Sequence, residues 1–534
     1  MVNSSQVTPV VPLELLPLQT KGRWIVDSRS QRFRLKCVNW FGASGTQHVV
    51  YGLHKRTLQD LVSTLVTWGF NCVRLPFSLE LFFTNPPVPG SKTRAEPAMA
   101  PGISGMDAYD QTVAAITGAG ILVVVDNHSS DSGWCCEASA LDGVWFTHEY
   151  PERRWIEALS AIARRHRSNP RVVAFDLRNE VRDTPTAQVV WGSGSVVDGK
   201  VLADWPSAAE RAGNAVLAEN PSLLILVTGL CYGHDLRGAR DRPVQLDVPG
   251  RLVWTAHSYH WYFWWHHDIF AGKGTGAACL GLSLVCLVMA VLVLGRARRS
   301  GRRGTTPQAC LEVAGAYIGF TGLVFLLYSV ATRSVTSNEA CSDRGRRDVE
   351  PFLQSGSVLL ALGLLGIFLS IALRVWQCRR RKVAGDQESG GEASGASPSH
   401  RQGCMACVVP VLVGLALALG AVAFFTLSTV SYWLLVDHLD RAWGFVLEEG
   451  HDYTAPLLLG EFGTDKQDDF WQGLIRYITE KDLDFAYWPF NGQKWNYEKG
   501  WFIEETYGLL DSTWASVRED WKLRDVIGYT SPGR

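Results

Sequence analysis

Four long apolar stretches follow one another in the middle of the chain, at about 276–295, 312–332, 356–376 and 406–436. Each is near or above the roughly 20 residues that a helix needs to cross the hydrocarbon core of a bilayer. A globular domain can bury one helix of that length, but four in succession with arginine-rich borders read as a membrane block. The last stretch is overlong and contains Pro410, which leaves its ends open. Composition agrees, because 47% hydrophobic and 19% charged residues make the chain more apolar than a typical soluble protein.

The loops give the block an orientation. Arg296, Arg298, Arg299, Arg302 and Arg303 follow the first stretch, and Arg374, Arg379, Arg380, Arg381, Lys382 and Arg401 lie between the third and fourth. Those loops are expected on the cytoplasmic side. The loop between the second and third offsets Arg333, Arg344, Arg346 and Arg347 with Glu339, Asp343, Asp348 and Glu350, so it faces the other side, as do both flanking segments. Residues 383–400 are polar and read as a disordered cytoplasmic linker. An even number of spans returns the chain to the side it left, so the two flanks can fold together. The expected division is therefore 20–270 and 438–534 as two parts of one domain, with 271–437 as a transmembrane insertion. The first 25 residues show no basic stretch followed by an apolar core, and Pro9, Pro12 and Pro17 interrupt them, so no signal peptide is expected. The reading is a multi-pass membrane protein with an extracytoplasmic domain; free thiols at Cys135 and Cys136 would point to the cytosol instead.

Other classes fall away. A net charge of -1 with no basic face excludes nucleic acid as a partner. The apolar stretches carry no acid or base well inside them, so they read as an anchor rather than an ion pathway. Cys404 and Cys407 have no second pair to complete a zinc site. Cys37, Cys72, Cys135, Cys136 and Cys231 lie in the flanks, where disulfides fit an extracytoplasmic domain but spacing does not give the pairing. Most of the 21 tryptophans are expected in cores and at interfaces.

The flanks repeat a strand-then-helix rhythm. Apolar, β-branched runs stand at 35–40, 70–76, 121–127, 172–178, 223–228, 251–257, 456–461 and 483–489, with helical patterns such as 55–68, 107–118, 152–166 and 207–219 between them. Eight such units predict an α/β fold, a (β/α)8 TIM barrel interrupted between strands six and seven. Two glutamates stand where a barrel keeps its chemistry, at the ends of predicted strands four and seven: Glu180 in VVAFDLRNE and Glu461 in PLLLGEFGT. Two carboxyl groups facing each other across a barrel mouth are what glycoside hydrolysis requires, one to protonate the leaving oxygen and one to attack the anomeric carbon.

At these residues the chain resembles glycoside hydrolase family 5, the cellulase-like family of retaining (β/α)8 enzymes, over both flanks and none of the membrane block. The family's acid/base motif is matched by Asn179-Glu180 and its nucleophile motif by Gly460-Glu461-Phe462-Gly463. VRLPF supplies Arg74, DNH supplies His128, HSYH supplies His257 and Tyr259, and YWPFNG supplies Trp488. The resemblance implies that Glu180 is the acid/base and Glu461 the nucleophile. It implies further that Arg74 and Tyr259 donate to Glu461, that Asn179 binds the hydroxyl next to the reacting carbon, that His128 and His257 line the subsite, and that Trp488 stacks on the sugar. Gly133-Trp134-Cys135-Cys136 followed by Leu141–Phe146 is similar to plant-type members. The implied function is a retaining β-glycosidase acting on a glucan-like polysaccharide or oligosaccharide, needing no metal or organic cofactor. The alternative is a membrane-anchored carbohydrate-binding or sensor protein with an inactive barrel. Partners beyond sugar and lipid bilayer do not follow from the sequence, and the aromatic run HWYFWWHHDIF after Tyr259 reads as an interface belt.

Overall fold

The computed structural model describes residues 10–136, 141–192, 200–260 and 428–528. The expected spans at 276–295, 312–332 and 356–376, residues 406–427 of the fourth, the linker at 383–400 and the aromatic run after His260 lie outside them. Among the described residues no helix is long and apolar enough to cross a membrane.

Eight parallel strands close a barrel: β1 Lys36–Asn39, β2 Cys72–Ser78, β3 Leu122–Ser129, β4 Val172–Asp176, β5 Leu224–Thr228, β6 Leu252–Ser258, β7 Leu457–Phe462 and β8 Asp484–Tyr487. Each hydrogen-bonds to its sequence neighbour, and β8 returns to β1. Every strand falls on a run expected to form one, with ends within two residues. The helices include α1 Leu58–Trp68, α2 Gly105–Gly118, α3 Glu152–Arg165, α4 Trp205–Glu219, α5 Ser428–Ala442 and α6 Asp469–Lys481. Helix α1 buries Leu58, Leu61, Val62 and Leu65, the i, i+3, i+4, i+7 stripe of an amphipathic helix. Thr57, Ser104 and Asp468 cap α1, α2 and α6 by accepting from otherwise unpaired backbone N–H groups.

Alternation along the strands fills the barrel in layers. Cys37, Cys72, Leu122, Val124, Ala174, Leu224, Leu226, Val253, Leu458 and Ala486 form one buried cluster, which Val11, Leu18 and Ile25 join from the chain ahead of β1. Cys37 and Cys72 are register partners in β1 and β2 and are joined by a disulfide. Two residues further along the strands, the same alternation brings Asn39, Arg74, Asp126 and Asp176, all buried, to the C-terminal side of that apolar floor. Trp145, Trp155 and Trp205 pack against one another in the core with their rings tilted, and Trp205 donates its indole N–H to the Thr228 carbonyl at 2.8 Å.

Helix α5 runs across the boundary expected at 437. Its Leu435 and Leu439 are buried, its Asp440 accepts from Tyr477 and Lys481 of α6, and the compact unit that holds the barrel resumes at Leu435. The helix carries polar positions at Asp437, His438, Asp440 and Arg441 after the apolar residues that end the stretch at 436.

Candidate active site

Glu180 follows β4 and Glu461 lies in β7, and both side chains are buried. Strict alternation from Leu458 would turn Gly460 inward and Glu461 outward. A bulge reverses this: Leu459 pairs with Ala256, but the next partners are Glu461 and His257, so one extra residue on β7 shifts the phase. The motif's glycines make that path open. A Cβ at Gly460 would stand 2.4 Å from Thr255 Oγ1, and one at Gly463 would stand 2.2 Å from the Trp488 carbonyl oxygen. Glu180 has φ +44°, a left-handed conformation that is costly for a side-chain-bearing residue and is typically retained where function requires it.

Of the eight side chains singled out from sequence, Glu180, Glu461, His257, Arg74, Tyr259 and Asn179 are joined by direct contacts, and the pair His128 and Trp488 is linked to them through Asp126. A carboxylate oxygen of Glu180, one of Glu461 and a ring nitrogen of His257 all lie within 4.8 Å of one another. His257 Nδ1 is 2.9 Å from Glu180 Oε1 and 3.7 Å from Glu461 Oε2. Arg74 Nη1 donates to Glu461 Oε1 at 2.8 Å, and the Tyr259 hydroxyl donates to Glu461 Oε2 at 3.0 Å. Arg74 Nη2 donates to Asn179 Oδ1 at 2.9 Å. The His128 ring lies parallel to Trp488 with centroids 5.5 Å apart, and Phe41 stacks on Trp488 at 4.9 Å.

Burial and charge set the protonation of the group. Burial pushes the Glu180 carboxyl up to about 7, against the pull of Arg182, His128 and Arg74. Burial pushes His257 down to about 4, although Glu461 opposes it. Between those values both partners of the Glu180–His257 hydrogen bond are uncharged. Burial also disfavours the charge on Arg74, but Asp126, Asp176 and Glu461 outweigh it and hold the guanidinium protonated. Asp176 is pushed up to about 7 by burial, whereas Asp126 is drawn down because Arg74 and His128 overcome its burial. His128, bonded to Asp126 at 2.7 Å, is raised: that carboxylate outweighs the burial of the ring.

Sequence reasoning passed over several participants. Asp176 accepts from Arg74 Nε and Nη2 at 3.0 and 2.9 Å, Asp126 lies 3.0 Å from Arg74 Nη2, and Asn39 accepts from Arg74 Nη1 at 2.9 Å. The signal was available, since each is a polar residue in phase with the inward apolar residues of its strand. Cys135 and Cys136 form a disulfide with each other beside Asn179. No sequence signal distinguishes that bond from two free thiols or from other pairings.

Residues 26–275 match the family model for cellulase (glycosyl hydrolase family 5). The chain is similar to an endoglucanase of Paenibacillus polymyxa, with 33% identity over 45% of this chain and 59% of the relative. It is also similar to the major extracellular endoglucanase of Xanthomonas campestris, with 34% identity over 44% and 48% of the two chains. A glycosyl hydrolase 5 family protein of Chamaecyparis obtusa is 31% identical over 46% and 45%. The chain spans about half the length of the curated relatives it matches. Among solved structures, the catalytic domain of the Xanthomonas endoglucanase aligns with TM-score 0.54 at 20% identity, covering 96% of this chain and 99% of that one. A hyperthermophilic endocellulase of Pyrococcus horikoshii aligns with TM-score 0.54 at 18% identity, covering 98% and 100%. At those identities the likeness is one of fold. The family match and these relatives make the part of the chain that carries strands β1 to β6 similar to glycoside hydrolase family 5 cellulases.

Proposed function

We propose that the protein is a retaining β-glycosidase that hydrolyses the O-glycosidic bonds of a β-glucan by double displacement. The observation that carries this is the approach of Glu180 and Glu461 to within 4.8 Å at the C-terminal mouth of the barrel. Retaining enzymes hold their two carboxyl groups about 5–5.5 Å apart, whereas inverting enzymes leave roughly 6.5–9.5 Å for a water molecule.

In this reading Glu461, oriented by Arg74 and Tyr259, attacks the anomeric carbon. Glu180, which burial keeps protonated to about pH 7, gives its proton to the leaving oxygen as the glycosidic bond breaks. A glycosyl ester on Glu461 results. Glu180, now ionised, takes a proton from the water that attacks the same carbon, and Glu461 is released. Asn179 binds the hydroxyl next to the reacting carbon, His128 and His257 line the subsite, and Trp488 offers its ring to the sugar. A β-1,4-glucan is the substrate class favoured by the relatives, two of which are named endoglucanases, and by a Pyrococcus horikoshii endocellulase solved as a complex with cellotetraose.

NMR of the first product formed from cellotetraose tests the stereochemistry. Double displacement releases the β-anomer, which mutarotates later; an α-anomer appearing first would rule it out.

The domain is further proposed to be extracytoplasmic, with the apolar block at 276–436 as its membrane insertion. The arginine pattern of the loops supports this, as do the Cys37–Cys72 and Cys135–Cys136 disulfides, which belong to oxidising compartments. The Xanthomonas relative is named as extracellular. Retention of the full chain in alkali-washed membranes is the expected result, and release into the supernatant would remove the insertion from the account.

A further inference from the structure

The Cys135–Cys136 disulfide lies against both ends of the Asn179-Glu180 motif. Asn179 Nδ2 is 3.7 Å from Cys135 Sγ and 3.8 Å from Cys136 Sγ. Both sulfurs and a Glu180 carboxylate oxygen lie within 4.8 Å of one another, and Cys135 Sγ is 3.4 Å from His128 Nε2. Two-carboxylate hydrolysis needs no sulfur.

A role in stability does not account for the bond. A disulfide stabilises chiefly by closing a loop in the unfolded chain, and joining adjacent residues closes none. Cys37–Cys72, 35 residues apart, does close one. What the vicinal pair does is present both sulfurs on one side of a closed ring, with Cys136 held at φ +83°.

We propose that the Cys135–Cys136 disulfide is a positioning group of the active site, which orients the Asn179 amide for the sugar hydroxyl and shields the Glu180 carboxyl from water. The proposal rests on the glycosidase reading of those two residues. Asn179 is held at both ends: its oxygen accepts from Arg74 and its N–H group faces the sulfurs. Sulfur is a weak acceptor, so it fixes the direction of the amide yet yields readily to a sugar hydroxyl. An uncharged disulfide has no hydrogen to donate to a carboxylate, so it also favours the uncharged acid; the raised Glu180 carboxyl agrees with such a wall.

The experiment compares wild type, Cys135→Ser/Cys136→Ser and the distant control Cys37→Ala/Cys72→Ala on cellotetraose, each with and without dithiothreitol. A thiolate of the reagent attacks one sulfur, breaking the Cys135–Cys136 bond and forming a mixed disulfide; the reagent's second thiolate then attacks its own sulfur in that bond, closing to a cyclic disulfide and leaving two protein thiols. The expected result for the double serine variant is a loss of about 10-fold or more in kcat with a smaller change in KM. Its loss of activity at high pH begins at lower pH, its far-UV circular dichroism is unchanged, and it is indifferent to the reagent. Folded wild type and the distant control show the same fall in kcat and the same pH shift on reduction, reversed on reoxidation. Wild-type kcat, KM and pH profile in the double serine variant overturn the proposal and leave the glycosidase reading intact. So does a fall in kcat with no change in the pH profile and no effect of reduction, which marks a structural role. A wild type that hydrolyses nothing overturns both.

Discussion

Arg74 and Glu461 form an ion pair at 2.8 Å in which the guanidinium is wholly buried. The same guanidinium contacts Asp126 at 3.0 Å and Asp176 at 2.9 Å. One buried cation thus faces three carboxyl groups, two of them from the layer just above the apolar floor of the barrel.

Removing that cation is therefore expected to affect folding as well as chemistry. Arg74→Met should cost about 3–5 kcal/mol in chemical denaturation, because it leaves buried carboxyl groups without their partner. Arg74→Lys should fold but lose roughly 100-fold in kcat, since a single ammonium cannot reproduce a fork that reaches Asn39, Asn179 and Glu461 together. Wild-type activity in the lysine variant would show that charge alone suffices.

The raised Glu180 carboxyl gives a signed dependence on pH. Below its usual value near 4.5 it is protonated in folded and unfolded chains alike, and between 4.5 and about 7 only the unfolded chain ionises. Stability therefore falls as pH rises through that window and stays reduced above it. Glu180→Gln removes the dependence, so its stability relative to wild type should rise from pH 4.5 to pH 8, by at most about 3 kcal/mol. Wild-type kcat/KM should decline above about pH 7, as the acid loses its proton. Parallel stability curves for the two proteins would contradict the shift.

Trp134 is 43% exposed, sits edge-on to Phe41 at 6.0 Å and lies beneath Lys494. Phe41 in turn stacks on Trp488, so a line of rings leads outward from the site. Trp134→Ala should raise KM for cellotetraose by about 10-fold, the worth of one aromatic contact, and leave an aryl monoglucoside unaffected. Equal effects on both substrates would remove Trp134 from the outer subsites.

The disulfide of the barrel floor should behave differently from the one in the site. Cys37→Ala/Cys72→Ala is expected to lower stability by about 2–4 kcal/mol, seen as an earlier urea midpoint, because the bond closes a loop of the unfolded chain. Its kcat should remain that of wild type, since Cys37 and Cys72 lie in the apolar layer beneath Asn39 and Arg74.

Much of the barrel was legible because the strands are short apolar runs and several are followed by an amphipathic helix, so periodicity gave eight strands in order. The ends of those strands gave the polar residues, and motif order gave Glu180 and Glu461. Alternation by itself would have turned Gly460 inward and Glu461 away, because the bulge that corrects the phase is a property of two strands in register and not of one. Asp126 and Asp176 were passed over for a different reason: aspartates at strand ends are common, and only their convergence on Arg74 marks these two. The Cys135–Cys136 bond was beyond reach, since two adjacent cysteines can pair with each other, with others, or with none. The boundary expected at 437 lies close to Leu435, where the compact unit that holds the barrel resumes, because Leu435 and Leu439 are buried while continuing the apolar stretch before them.

The most direct test of the two-carboxylate account is the rate of sugar release from cellotetraose by wild type, Glu180→Gln and Glu461→Gln under identical conditions. The account predicts turnover by wild type and a loss of at least about 1,000-fold in each variant, with far-UV circular dichroism unchanged. Binding of the sugar by wild type without any turnover would contradict it, and would favour a barrel that senses or holds carbohydrate.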